Sequence, residues 1–231
     1  MILNVLVEGQ TEETFVKEVL NPYIDKYGIY AIPIIVSTKV VADGKNYKGG
    51  LSNFNWKYFN GDLQKLIYST PHGLVTTFID YYALPSKFPG YENRGNYATP
   101  RQRVAYLESE LFLLYGSPKN FLPYIQLHEF EAMLFSDKCG FVNCVDERNA
   151  NLEELCSIIE NNKFPEDIND GPTTAPSKRI LANYVEYDKV LEGNFILLEI
   201  GLETVLEKCP KLNEWIEKII EFKNVNYPDK N

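Results

Sequence analysis

Apolar positions along the chain alternate between short unbroken runs and longer stretches with helical spacing. Ile2–Val7 reads as a buried strand, and Phe15, Val19, Tyr23 and Tyr27 then recur on one face of a helix predicted over 11–27. Pro22 lacks an amide donor and crowds the preceding turn, so it should kink or divide that helix. "AIPIIVST" (31–38) is a second strand, the Gly- and Lys-containing "DGKNYKGG" (43–50) a loop, and a helix follows over 55–68. The clearest strand is "GLVTTFIDYY" (73–82), and "FLPYIQL" (121–127) is the fourth. Between these two lie a long loop and a helix over 101–115, whose Val104, Leu107, Leu111 and Leu114 form one stripe.

Beyond residue 141 the pattern turns to helices and loops: "NLEELCSIIENN", the turn-rich "PEDINDGPTTAPS", helices carrying Ile180, Tyr184 and Leu191, and a last helix using Leu212, Trp215, Ile216, Ile219 and Ile220. Strands alternating with helices imply an α/β fold with a mostly parallel, doubly wound sheet. Chemistry in such sheets collects at the carboxyl ends of the strands. The expected organisation is an α/β core over 1–140 and a helical extension over 141–231. The extension should pack on the core as one structural unit, because no flexible linker separates them.

Composition narrows the class. With 231 residues, 45% hydrophobic and 24% charged, the chain is sized and mixed for a packed core, which excludes disorder and fibrous folds. No apolar run approaches the ~20 residues that cross a bilayer, and no secretory leader pattern opens the sequence, so a cytoplasmic location away from membranes is expected. The four cysteines have neither disulfide density nor zinc spacing and read as reduced packing residues. A net charge of -9 argues against indiscriminate polyanion binding. It leaves room for an acidic metal site beside a local basic patch.

Glu8 ends the first strand and Asp80 the third, at one edge of one sheet. Neighbouring strands lie ~5 Å apart, so the two carboxylates could share Mg²⁺, which accepts one or two protein carboxylates plus water and substrate phosphate. Each acid alone has a plainer reading: Asp80 as a turn cap, Glu12 and Glu13 as solvent-facing acids at a helix start. Two acids directly after apolar strands favour a site, because a buried-edge carboxylate is costly without a partner. "QLHEFEAMLFSD" (126–137) adds His128, Glu129 and Glu131 at another strand end. A satisfied buried histidine is the commoner fate of a residue like His128, but Glu131 beside it makes general-base, metal-ligand or phosphate-contact roles credible.

"VEGQTEE", "FIDYYALP", "HEFEAMLFSD" and "INDGPTTAPSKRI", in that order, resemble a bacterial family of the Toprim-like superfamily, domain of unknown function 4276, related to the topoisomerase–primase domain and to nucleases of the overcoming-lysogenisation-defect type. The resemblance covers most of the chain. It implies a Toprim-like sheet, in which a Glu after the first strand and an Asp-x-Asp pair after a later one surround Mg²⁺. Glu8 and Asp80 match the first two positions; Tyr82 stands at the third, so Glu131 or Glu129 would have to complete the site. The implied function is Mg²⁺- or Mn²⁺-dependent phosphodiester cleavage, with Glu8, Asp80 and Glu131 as metal ligands and His128 in proton transfer or phosphate contact. The resemblance also implies a nucleic-acid substrate, a separate ATPase partner, and a role in mobile-element (phage) defence or DNA repair. The alternative is a non-catalytic sensor or docking subunit of an ATPase, which Tyr82 favours.

Candidate substrate contacts come from cations. The 84–103 loop carries Lys87, Arg94, Arg101 and Arg103 among Phe88, Tyr91 and Tyr97, a mixture suited to single-stranded or RNA ligands and equally to a loop packed on its own aromatics. Lys178 and Arg179 fall in the first turn of a helix opened by Pro176, where cations are disfavoured and an anion is favoured, so a phosphate, an acidic partner or an internal carboxylate is expected nearby. "GKNYKGG" lacks the ending of a nucleotide-triphosphatase loop; no dinucleotide fingerprint or serine-hydrolase elbow is present.

Overall fold

The computed structural model describes residues 1–40, 46–48, 55–82, 84–168, 171 and 173–228, with backbone only at 38–40 and 46–48. Strands β1 (Ile2–Val7), β2 (Tyr30–Ile35), β5 (Leu74–Asp80), β6 (Phe121–Leu122) and β7 (Ile125–Gln126) form one parallel sheet in the order β2-β1-β5-β6, with β7 also on β5. The expected fourth strand is thus two short pieces in one register, Val75 facing Phe121 and Asp80 facing Gln126. Pro123 has no amide to give. Thr77 bridges the gap: its hydroxyl donates to the Tyr124 carbonyl at 2.7 Å and accepts the Tyr124 amide at 2.9 Å.

Both sheet faces are covered, as the run-like strands require. Leu3, Val5, Val7, Leu74 and Phe78 face a cluster with Phe15, Phe130, Phe141, Ile196 and Trp215. Leu6, Val75 and Ile79 face the other way, onto Phe59 and Leu63 of α3 (Trp56–Ser69) and Val104, Leu107 and Leu111 of α4 (Pro100–Leu114). Leu114, the last residue of the predicted stripe, is exposed.

The first helical stretch is continuous but changes geometry before the proline. α1 (Gln10–Thr14) passes into a π-helical stretch, Phe15–Leu20, and then α2 (Asn21–Asp25). The Asn21 amide donates to the Val16 carbonyl, so the wider turn accommodates Pro22 without breaking the rod. Ser37–Val40 (β3), which begins inside the expected second strand, and Asn46–Lys48 (β4), where a loop was expected, form a separate antiparallel pair; the rest of "DGKNYKGG" lies outside the described residues.

The C-terminal helices sit on the first face. They are α5 (Lys138–Cys144), α6 (Leu152–Asn161), α7 (Pro176–Asn183), α8 (Glu192–Ile200), α9 (Leu202–Lys208) and α10 (Pro210–Asn226). Trp215 of α10 stacks on Tyr124, ring centroids 4.6 Å apart, and its indole N–H donates to Thr76 Oγ1 at 2.9 Å. Residues from both the sheet and these helices therefore share one hydrophobic cluster. Among the described residues, no helix is long and apolar enough to cross a membrane.

Candidate functional site

The carboxyl ends of β1, β5 and β7 meet at one edge of the sheet, and acids gather there. Glu8 follows β1 and is buried; its Oε1 accepts the Asp80 amide at 2.8 Å, tying the two strand ends together. Glu12 was expected to face water at its helix start, yet it is buried. Its Oε2 reaches back to the Gly9 amide at 3.0 Å, the half of a capping box that a glycine permits. Asp80 and Glu131 are also buried, the latter in the 3₁₀ turn Phe130–Phe135.

One cation stands among them. Lys189 Nζ lies 3.2 Å from Glu131 Oε2, 3.6 Å from Asp80 Oδ2 and 3.8 Å from Glu12 Oε1. Burial works against this ammonium, but Asp80, Glu131, Glu12 and Glu8 together outweigh that and hold its pKa well above the ordinary lysine value. The acids carry the complementary strain. Burial, then Asp80 and Glu12, pushes the Glu8 carboxyl well up; burial and the neighbouring Glu12, Glu131 and Glu129 do the same to Asp80 against the pull of Lys189. Glu131 is raised by burial, partly offset by Lys189.

Among the described residues, four carboxyl groups act on the Lys189 ammonium, so the cluster holds more acids than it has cations to balance. Glu8 Oε2 and Asp80 Oδ1 are buried and accept no hydrogen bond. Hard oxygen donors with unused lone pairs are what Mg²⁺ or Mn²⁺ takes, so the donor chemistry fits such an ion. Among the described residues, no three His, Cys, Asp or Glu side chains are already drawn around one point, and Lys189 would have to withdraw for the acids to close. Its side chain keeps 34% exposure and sits on the turn before α8, where Asp188 Oδ1 accepts the Val190 and Leu191 amides.

His128 is buried in a left-handed conformation (φ 63°), an uncommon geometry for a residue with a side chain, and its carbonyl accepts the Tyr82 amide at 3.0 Å. Tyr82 itself is half exposed, 46%. Glu129 and Glu131 both act electrostatically on Asp80, but their contacts differ: Glu131 shares Lys189 with Asp80, while Glu129 Oε2 accepts the Ser177 amide at 3.0 Å. Glu129 thus supplies a carboxylate of the chain itself at the first turn of α7, where a negative charge is favoured. Lys178 is exposed on that helix, and Arg179 Nε donates to the Thr174 carbonyl.

Arg101 and Arg103 open α4. Arg101 pairs with Glu214 at the surface; Arg103 donates to the carbonyls of Tyr97 and Ala98. The loop aromatics pack on their own domain: Phe88 is buried against Trp56, Tyr91 lies under the Arg94 guanidinium, and Tyr97 stacks on Tyr106. Of the predicted site residues, Asp80 is tied to Glu8 through its amide and shares Lys189 with Glu131; His128 contacts the backbone of Tyr82, Lys178 is exposed, and Arg101, Arg103 and Arg179 are engaged in other contacts.

Lys189 and Tyr187 were not legible in advance. Lys189 lies between Glu186 and Glu192, spacing that reads as a surface helix pair. Tyr187 Oη is buried with no hydrogen-bond partner, and its phenol is pushed well up by burial and then by Glu131.

A solved structure, the C-terminal region of the Xanthomonas campestris pv. campestris OLD protein, is similar to the chain at 14% identity with a TM-score of 0.42, covering 95% of this chain and 93% of that one. No curated protein matches it. The model of the family described as Domain of unknown function (DUF4276) matches residues 7–220, a span that includes Glu8, Asp80, Glu131 and Lys189, and the chain belongs to that family.

Proposed function

We propose that this protein cleaves phosphodiester bonds in nucleic acid with the help of Mg²⁺ or Mn²⁺, held by Glu8, Asp80 and Glu131. The observation that carries this reading is the surplus of buried carboxylate at the sheet's carboxyl edge, with Glu8 Oε2 and Asp80 Oδ1 unsatisfied. Charge of that kind is retained only where protons or a cation balance it. The bound ion would neutralise the scissile phosphate and lower the pKa of a water.

The chain's own groups divide the remaining tasks. Lys189 is the internal counterion of the metal-free cluster, and its exposed turn lets the ammonium meet an anionic substrate. To His128, two residues past the Asp80–Gln126 pair, we assign phosphate contact or proton transfer. A separate ATPase would supply nucleotide hydrolysis, since this sequence holds no phosphate loop of its own. Mobile-element defence or DNA repair is the setting we propose for such a pair.

The second reading is a sensor or docking subunit without catalysis, favoured by Tyr82 at the position where an acid would complete the pair. Calorimetric titration with Mn²⁺ separates the two. The native chain is expected to bind, Glu8→Gln and Asp80→Asn to lose binding, and plasmid or single-stranded DNA to be nicked only by the native chain with metal. Failure of the native chain to bind Mn²⁺, with or without an oligonucleotide, would leave the docking reading.

A further inference from the structure

A cavity of about 460 Å³ opens past the carboxyl end of β7, at Leu127 and His128, the two residues that follow that strand. Its walls are apolar at Leu127, Pro100, Pro210 and Phe164, and polar at Thr99, Arg101, His128, Glu166 and Asp167. His128 links the cavity to the sheet edge: it is one of the lining residues, and its carbonyl accepts the Tyr82 amide two residues past Asp80. Volume and lining are those of a small-molecule or nucleotide site.

We infer that this cavity takes one unpaired nucleotide of a strand whose phosphate lies at the carboxylate cluster. The inference rests on the proposed function for its substrate class. Phe164 supplies an aromatic face, with Lys163 Nζ 4.9 Å from the ring centroid. Arg101 supplies a guanidinium whose present partner, Glu214, is itself exposed, so a phosphate can compete for it. An aromatic face with cations beside it is how proteins hold unstacked bases without reading sequence. The lining acids do not close the site to anions. Glu166 is committed to the start of α10, accepting the Lys211 and Leu212 amides at 2.9 and 3.1 Å, and Asp167 is exposed, where it can accept from a base amino group. A base inside a duplex cannot reach such walls, so single strands and frayed ends are preferred over paired DNA.

The test uses the full chain in EDTA, with a fluorescein-labelled single-stranded 12-mer and the blunt duplex of the same sequence, read by anisotropy. The single strand is expected to bind more tightly than the duplex. Phe164→Leu should weaken it roughly tenfold, the usual scale of a lost base–aromatic stack, and Arg101→Gln should weaken it as well. Phe164→Trp should retain binding, with its indole emission quenched by the 12-mer, which also shows that the site tolerates substitution. Glu214→Gln, which releases Arg101, should tighten binding. Duplex preference, absence of binding to either probe, or single-strand binding indifferent to both Phe164→Leu and Arg101→Gln would overturn the inference. Mn²⁺ calorimetry on the same proteins keeps the two proposals apart. Loss of metal binding in the native chain with Phe164-dependent strand binding intact sinks only the nuclease, and the converse sinks only the cavity.

Discussion

Lys189→Met removes the cation that lies among Glu12, Asp80 and Glu131 while keeping the aliphatic stem. Breaking a fully buried charge pair costs about 3–5 kcal/mol. The Lys189 side chain is 34% exposed, which moves the value toward that of a surface pair, and we take ~2 kcal/mol for the metal-free protein at pH 8. For a chain of 231 residues that is a fall of ~4–8 °C in the melting midpoint. The pH dependence is the sharper test. Glu8, Asp80 and Glu131 have folded pKa values raised above their unfolded ones, so their contribution is fully present below the unfolded carboxylate pKa and is lost as pH rises through the folded values. Removing Lys189 raises those folded values further, so the variant's deficit should grow from pH 5 to pH 8. At pH 5 protons take over the neutralising role, and the deficit should shrink. Added Mn²⁺ should restore the variant at pH 8. The assay is thermal unfolding followed by circular dichroism across that range, in EDTA and then in Mn²⁺. A deficit of constant size across pH, or none at pH 8, would refute the account of the cluster as overfilled with negative charge.

Glu8→Gln keeps the oxygen that accepts the Asp80 amide and deletes one charge from the cluster, so in EDTA at pH 8 the midpoint should rise by ~2–4 °C while Mn²⁺ binding is lost; a lower midpoint would contradict this. Thr76→Val strands the buried Trp215 indole N–H and removes the hydrogen bond to the partly buried Leu122 carbonyl, and urea unfolding should show a loss of about 1–3 kcal/mol; a neutral result would mean the indole finds another partner. Gly140→Ala would put a methyl within 2.7 Å of Ile200 Cγ1 and 2.8 Å of Ile196 Cγ2 where α5 packs on α8, costing about 1–3 kcal/mol. Gly61→Ala, inside α3 with nothing within 4 Å, should instead stabilise by ~0.5–1 kcal/mol, and denaturant melts of the two variants side by side check both signs.

The sequence by itself determined what depends on local pattern. Runs of apolar residues placed β1 and β5, helical periodicity placed α3, α4 and α10, and acids directly after two apolar runs located Glu8 and Asp80 at one sheet edge. Alternation along β1 and β5 carries enough information to assign each residue to a face, because successive side chains of a strand must point opposite ways. Tertiary structure decided what depends on partners remote in the chain. Glu129 and Glu131 are two residues apart and chemically alike, and only the packing of α7 gives one the Ser177 amide while the other shares Lys189 with Asp80. Lys189 reads locally as a surface lysine between two glutamates, yet the turn before α8 sets it over a sheet edge formed more than a hundred residues earlier. Thr76 looks polar in a buried strand until Trp215 of the last helix donates to it. The physical reason is common to all three: a buried charge or hydroxyl is stabilised by whichever complementary group the fold brings within reach, and that group is specified by topology rather than by neighbours in sequence.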